Sequence, residues 1–190
     1  MPRSARSSWP DGIYHIYARG NRRQTIFVDD TCYERFEALL IDSIRLFNWR
    51  CESYCFVGNH YHLQLRATQP DLSRGMHRLN FRYAIWFNRR YEVDGHLLQG
   101  RFAARMVEGE HLLRLPRYIA LNPWRHGFCN HPLDWRWGSF RAIAGRARVP
   151  DFLSLDWLVP LFGPDLPTAR RNFVIYVEES VVQSPWDYAA

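Results

Sequence analysis

The sequence predicts an α+β domain in which a ferredoxin-like antiparallel sheet carries helices on one face. The predicted elements follow the order strand, helix, strand, strand, helix, strand, which is typical of this fold class. The two central strands are joined by Gly58-Asn59, a dipeptide that favours a hairpin turn. Between the strands, apolar residues recur with a helical period, which predicts the covering helices.

Local patterns justify each element in chain order. Residues 12–18 alternate and are rich in aromatic and β-branched residues, which predicts the first strand. Asp29 or Asp30 is a suitable N-cap for a helix that ends near Phe47. The remaining predicted elements are strands at about 50–56 and 61–66, a helix at 71–90, a strand at about 102–107, and a helix at 110–122 that Pro123 ends.

The chain divides into three predicted segments. Residues 1–10 are expected to form a flexible basic arm, and residues 11–145 a single folded domain. Residues 146–190 are expected to be a C-terminal helical extension of the same domain, with a helix at about 167–182.

The composition indicates a folded, basic protein. The chain is 47% hydrophobic and 16% aromatic, which excludes a disordered protein. Its formal net charge of +6 and pI of about 9.4 suit a polyanionic partner. All 25 basic residues are arginine. This bias has a non-functional explanation, which is codon usage in a GC-rich genome. Guanidinium groups nevertheless bind phosphate in a bidentate manner, which lysine cannot do.

The expected location is the cytoplasm, at the nucleoid. Cys32, Cys51, Cys55 and Cys129 form no CxxC pair, which favours reduced thiols. No apolar segment approaches the length of a membrane span, and the first ten residues lack the apolar run of a secretory signal. We therefore expect no membrane partner.

The most informative motif is the pair His60 and His62. Side chains two residues apart on a strand point to the same face, so the two imidazoles are expected to lie side by side, with Tyr61 on the opposite face. Such a pair suits metal binding, although a structural role is the alternative for any short motif of this kind.

A second motif lies about fifty residues further along the chain. Tyr118 and Asn122 are four residues apart on the predicted last helix, so they share one face. This spacing predicts a tyrosine nucleophile beside a third metal ligand. The alternatives are a tyrosine buried in the core and an asparagine that caps the helix end.

These motifs and their order resemble the single-tyrosine HUH transposases, in the group of REP-associated tyrosine transposases or close relatives. Gly58 replaces a more usual proline and Trp124 a more usual small residue, and neither change removes a chemical group. The matching segments are residues 12–16, 19–22, 58–62, 72–76, 87–90, 95–102 and 117–127, with a weaker match at 135–140.

The resemblance implies a fold, an activity and a substrate. The HUH fold is an α+β ferredoxin-like sheet, in agreement with the pattern above. The implied activity is cleavage of single-stranded or hairpin DNA through a covalent 5′-phosphotyrosine, with Tyr118 as nucleophile. A divalent ion, Mg²⁺ or Mn²⁺, would be bound by His60, His62 and Asn122. Imidazole ligands make Mn²⁺ the easier choice of the two. A monomer and a homodimer are both compatible with the sequence.

The predicted DNA-binding residues are polar and mostly basic. Aromatic residues are also abundant enough to stack on unpaired bases. Arg82 follows another arginine at helical spacing on the predicted second helix. The alternative to DNA binding for such a pattern is a solvated, charged helix face. The predicted set is Arg19, Asn21, Arg22, Arg23, Arg82, Arg101 and Arg105.

Three other functions compete with a mobile transposase. One is a domesticated relative that binds or processes repeated palindromic DNA. Another is a non-catalytic nucleic-acid-binding protein that keeps the fold. The last is a metal-dependent hydrolase that uses water in place of tyrosine, and it predicts no covalent protein–DNA adduct.

Overall fold

The structure is a computed structural model that describes residues 10–67 and 71–182, and within them it has four strands and six α-helices. The strands are β1 (Gly12–Arg19), β2 (Arg50–Val57), β3 (His60–Ala67) and β4 (Ala103–Met106). The helices are α1 (Asp30–Phe47), α2 (Asp71–Tyr91), α3 (His111–Arg125), α4 (Phe140–Ile143), α5 (Leu158–Phe162) and α6 (Leu166–Val182). The predicted arm, residues 1–10, lies outside the described residues apart from Pro10.

The strands form one antiparallel sheet in the order β2-β3-β1-β4. This is the ferredoxin-like order that the sequence predicted. β2 and β3 are joined at Gly58, whose φ of 33° is outside the range that proline can adopt. A side chain at this position would also lie 2.6 Å from the Phe128 ring, so glycine is required in this turn.

The helices α1 and α2 cover one face of the sheet, as predicted. Tyr61, Leu63 and Leu65 of β3 are fully buried in the main core, in the same cluster as Phe36 of α1 and Leu79 of α2. Because side chains alternate along a strand, His60, His62 and Gln64 point to the other face. The face that carries the histidines is therefore free of α1 and α2.

Helix α3 covers that second face. Leu115 and Ile119 of α3 pack against Cys55 and Val57 of β2, which pair with His62 and His60 of β3. The predicted end of this helix at Pro123 was wrong, because the helix continues to Arg125. Pro116 and Pro123 are both buried within it. Packing of their rings therefore offsets the hydrogen bonds that the two prolines cannot donate.

The C-terminal helices complete the core. Ala169, Phe173 and Val177 of α6 are fully buried, in the cluster that also contains the sheet residues of the main core. The Trp157 indole N–H, at the start of α5, donates to the Glu52 carbonyl of β2 at 3.0 Å. The segment boundary at residue 145 stays a prediction. Residues 10–67 and 71–182 contain no helix with the length and apolar character of a membrane span.

Candidate active site and metal centre

His60 and Asn122 meet between the sheet and α3. The Nε2 atom of His60 lies 2.8 Å from the Oδ1 atom of Asn122, and the two residues are only 3% and 1% exposed. His60 is the first residue of β3, and Asn122 lies in the last turn of α3. Both side chains are thus held by regular backbone and by close packing, which fixes their relative position.

Tyr118 lies one helical turn before Asn122. The Asn122 side chain interacts with its hydroxyl and lowers the hydroxyl's pKa. Its ring packs edge-on against His62, with 5.1 Å between the ring centroids. The structure therefore brings together the four residues that the sequence singled out: His60, His62, Tyr118 and Asn122.

Asn59 determines which nitrogen of His60 carries the proton. The Asn59 amide donates from Nδ2 to the Arg23 carbonyl at 2.9 Å, so its Oδ1 is left as an acceptor. Nδ1 of His60 lies 2.7 Å from that Oδ1 and must donate to it. In a neutral imidazole the lone pair is then on Nε2, and it faces Oδ1 of Asn122.

His62 is oriented by a third histidine. Its Nδ1 atom lies 2.9 Å from Nε2 of His15 on the neighbouring strand β1. Its Nε2 atom is buried and has no hydrogen-bond partner among the residues that the structure describes. An unpaired buried nitrogen is unfavourable unless something outside the described chain binds it.

The histidines are held in their neutral form by burial. Desolvation lowers the pKa of His60 to about 4 and the pKa of His15 to about 4, and it lowers the pKa of His62 well below 6.5. The positive charge of nearby arginines acts in the same direction. The imidazoles are therefore available as ligands at neutral pH without loss of a proton.

Burial raises the pKa of the Tyr118 hydroxyl, and three groups oppose that rise. They are the charges of Arg125 and Arg19 and the hydrogen bond from Asn122. The guanidinium carbon of Arg125 lies 5.9 Å from the centre of the Tyr118 ring. These groups favour the phenolate, which is the nucleophilic form of a tyrosine.

The donor set fits a divalent ion. His60 presents its Nε2 lone pair to Oδ1 of Asn122, and a cation is the natural partner of two such acceptors. Nε2 of His62 has no partner among the described residues and joins this donor set when Nδ1 carries the His62 proton. Neighbouring ligands of an octahedral ion are about 3 Å apart, close to the 2.8 Å between His60 and Asn122. The described residues include no group of three His, Cys, Asp or Glu side chains with metal-binding geometry. The candidate centre therefore depends on the Asn122 amide.

A pocket of about 460 Å³ opens onto the two histidines. Tyr17 and Arg19 of β1 line it, together with residues 99–101 of the segment before β4. Two predicted DNA-binding residues, Arg19 and Arg101, are thus beside the candidate metal ligands. Both are exposed, so their guanidinium groups are accessible to a phosphate.

The other predicted DNA-binding residues do not line this pocket. Arg22 and Arg23 are exposed in a turn after β1, and Asn21 of the same turn lines an adjacent cleft. Arg105 of β4 lies opposite His15 of β1 in the register of these two strands. Arg82 lies 3.1 Å from Asp42 of α1, on the helical side of the sheet, so the structure does not bring it to Tyr118.

The sequence placed His15 on the first strand, where it could approach the active site, but predicted neither His15 nor His126 as a ligand. His15 contacts His62 only because of the strand register, which no local pattern revealed. The His126 ring lies 5.0 Å from the His60 ring. His126 is four residues after Asn122, so the helical spacing that linked Tyr118 to Asn122 would have included it, had the helix not been expected to end at Pro123.

The fold and the site define an α+β protein with a histidine pair opposite a helical tyrosine, and the comparisons assign its family. The family model described as "Transposase IS200 like" matches residues 9–122, which is more than half of the chain. The chain therefore belongs to the IS200-like transposase family. The predicted resemblance is confirmed at this level. No curated protein matches the chain.

The solved structures that are similar to this protein include two transposases. One is a REP-associated tyrosine transposase bound to a REP hairpin, with a TM-score of 0.64 and 19% identity, over 83% of this chain and 93% of the other. It supports the same fold. The other is a putative transposase from Deinococcus radiodurans R1, with a TM-score of 0.45 and 17% identity, over 62% of this chain and 95% of the other.

Proposed function

We propose that this transposase cuts and rejoins single-stranded DNA through a covalent 5′-phosphotyrosine at Tyr118, with a divalent ion bound by His60, His62 and Asn122. One observation carries the proposal. Asn122 contacts His60 at 2.8 Å through Oδ1 and lowers the pKa of the Tyr118 hydroxyl one helical turn away, so one amide links the candidate ligands to the candidate nucleophile. A purely structural asparagine requires neither neighbour.

Tyr118 supplies the attacking oxygen. A bond forms between its Oη and the phosphorus, the P–O3′ bond breaks, and the released strand leaves with a 3′-hydroxyl. The phenol proton passes to solvent, and the released O3′ takes up a proton from solvent. Because the phosphotyrosine keeps the energy of the broken phosphodiester, the reverse reaction joins a 3′-hydroxyl without ATP. Arg125, Arg19 and Asn122 favour the phenolate that this attack requires.

The ligand residues position the metal and the strand. A bound divalent ion would act as a Lewis acid on the scissile phosphate. His60 and His62 present Nε2, since Asn59 and His15 contact the Nδ1 atoms. Such second contacts orient metal-bound histidines. Mn²⁺ suits two imidazoles better than Mg²⁺, and either ion accepts the amide oxygen.

The proposed substrate is an unpaired strand beside a hairpin, within a palindromic element. A similar structure is of a REP-associated tyrosine transposase bound to a REP hairpin, and we extend that class of ligand to this chain. Arg19 and Arg101 beside the histidines suit the phosphates of such a strand. A domesticated protein that processes palindromes would use the same chemistry.

The test is incubation of the protein with end-labelled hairpin DNA that carries a single-stranded tail, in Mn²⁺, followed by a denaturing gel. We expect a slow-migrating protein–DNA band that protease removes. EDTA, and the double variant His60→Ala/His62→Ala, should abolish it. A blunt duplex of the same stem should give little adduct, because a stacked strand resists entry into the pocket.

The two rival functions with different chemistry each give a different gel. Cleavage without a covalent band would identify a hydrolase that uses water. Binding without any cleavage would identify a non-catalytic DNA-binding protein. Adduct formation that persists in EDTA would overturn the metal centre and leave Tyr118 as the nucleophile.

A further inference from the structure

A second cleft adjoins the pocket that contains His60 and His62. It has a volume of about 1000 Å³ and lies between α2 and the segment 95–102 that precedes β4. Gln99, Gly100 and Arg101 line both the cleft and the pocket. A strand bound at the histidines would therefore lie directly beside the cleft.

One wall of the cleft is an exposed stripe on α2. His77, Phe81 and Ile85 are four residues apart, so they follow one another along a single face of the helix. Phe81 is 57% exposed and Ile85 is 37% exposed, so the stripe presents neighbouring apolar side chains to solvent. The rings of His77 and Phe81 are nearly parallel, at 10° and 5.9 Å between centroids, and they form a flat aromatic surface.

The opposite wall is fixed by backbone hydrogen bonds. The Asn21 N–H donates to the Leu97 carbonyl at 2.8 Å, and the Gln99 N–H donates to the Arg19 carbonyl at 2.9 Å. The Asn88 amide donates to the Gly95 carbonyl at 3.0 Å and ties α2 to the same segment. The cleft is thus formed before any ligand binds, which reduces the entropy lost on binding.

The lining combines apolar and polar groups without acidic ones. Among the described residues that line the cleft, none is Asp or Glu, whereas Arg101 and several amide and histidine side chains are present. Planar apolar surface suits the face of a nucleobase, and amides suit its edge. The absence of carboxylates from this lining avoids repulsion of the attached phosphates.

We propose that this cleft binds unpaired nucleobases of the DNA strand whose phosphate lies at Tyr118, with Phe81 as the stacking residue. The inference rests on the proposed function, because the strand is located by the candidate active site. It adds His77, Phe81 and Ile85, which the sequence did not assign, to Asn21 and Arg101, which it did. The cleft gives one reason for a preference for single strands, since paired bases are stacked and inaccessible.

The test compares tailed and blunt hairpins with variants of Phe81. Each tail carries 2-aminopurine, at either the 5′ or the 3′ end of the hairpin, and its fluorescence falls when the base stacks. With the wild-type protein we expect quenching in one of the two tailed hairpins. Phe81→Ala should abolish the quenching and raise the Kd for that hairpin by about fivefold to a hundredfold. Phe81→Trp, which keeps an aromatic face, should retain both.

The controls separate stacking from folding. Leu46→Ala removes another exposed apolar side chain, 60% exposed on α1, and should change neither readout. The Kd for the blunt hairpin should change less than twofold in every variant. Equal tailed-hairpin affinity for Phe81→Ala and wild type, or no quenching by wild type, would overturn the proposal. A change in sedimentation with unchanged tail affinity would also overturn it and indicate a subunit interface.

The outcome for the cleft is distinguishable from the outcome for the active site. An adduct formed equally by the wild type and Phe81→Ala, with no quenching in either, overturns the cleft and retains the tyrosine chemistry. Tail-dependent quenching without any adduct supports the cleft and overturns the chemistry.

Discussion

Nε2 of His15 and Nδ1 of His62 lie 2.9 Å apart across the β1–β3 pair. At this separation one nitrogen donates and the other accepts. If Nε2 of His62 is to bind a metal ion, Nδ1 must carry the proton and donate it to His15. His15 is then a positioning residue that holds the His62 ring beside Tyr118 and keeps the lone pair on Nε2.

Replacement of His15 should weaken metal binding. We expect His15→Ala to reduce Mn²⁺ affinity by about tenfold to a hundredfold, since the loss of such a second hydrogen bond has that effect at other metal sites. Titration followed by the EPR signal of free Mn²⁺ measures the affinity directly, without reference to cleavage. His111→Ala, an exposed histidine at the start of α3, is the matched control. Equal affinities of the His15 variant and wild type would contradict the assigned role.

Local patterns predicted the parts of the fold and site that depend on short spacings. The shared face of His60 and His62 follows from strand geometry, and the proximity of Tyr118 to Asn122 follows from helix geometry. The contact of His15 with His62 was not predicted, because it depends on the register between two strands that are distant in sequence. The end of α3 was misplaced because burial of Pro123 outweighs its local preference.

The location of the basic residues was harder to predict, because arginine spacing does not reveal which face of the sheet a helix covers. Arg82 lies near Asp42 on the α1–α2 side, whereas Arg101 lies beside the histidines. The cleft was invisible in the sequence for a similar reason. It requires the segment 95–102 to pair with the turn after β1, through contacts such as Gly20 with Leu98.

Tyr118→Phe should abolish the covalent adduct and leave DNA affinity within about twofold of wild type. The substitution keeps the ring that packs against His62 and removes only the hydroxyl. A denaturing gel measures the adduct, and fluorescence anisotropy measures binding. Tyr176→Phe, on α6, removes a hydroxyl outside the pocket and should form the adduct normally. Cleavage by Tyr118→Phe at the wild-type rate would exclude this residue as the nucleophile.

The metal-free protein should lose stability as the pH falls below about 6.5. The pKa of His60 is about 4 in the folded state, below its value of about 6.5 in an unfolded chain. The unfolded state therefore binds the proton first, so stability is complete above the unfolded pKa and is lost as the pH falls toward 4. For a buried histidine with this shift, the loss between pH 7.5 and 5 is about 2 kcal/mol.

Urea unfolding in EDTA at pH 7.5 and pH 5 measures that loss. In His60→Gln the difference between the two pH values should be smaller by about 2 kcal/mol, because the titrating group is absent. The same substitution at the exposed His111 should leave the difference unchanged. An identical acid sensitivity in His60→Gln and wild type would show that His60 does not contribute to it.

DNA affinity should fall steeply with salt, and the turn after β1 should account for part of that dependence. Arginine–phosphate contacts release counterions, so log Kd changes linearly with log salt. Arg22 and Arg23 are exposed and have positive φ angles of 50° and 62°. Asparagine tolerates such angles better than most residues. The double variant Arg22→Asn/Arg23→Asn therefore removes two charges with little disturbance of the turn, and the Arg23 carbonyl that orients Asn59 is retained.

For a single-stranded ligand we expect this variant to reduce the salt slope by about 1.4, or about 0.7 for each phosphate that an arginine no longer neutralises. The matched control is Arg146→Asn/Arg148→Asn, which changes the net charge by the same amount at exposed positions away from the pocket. Its slope should stay close to that of wild type, because counterion release depends on local binding of phosphates more than on net charge. Equal reductions in both variants would indicate a general charge effect. An unchanged slope in Arg22→Asn/Arg23→Asn would remove this turn from the DNA-binding surface.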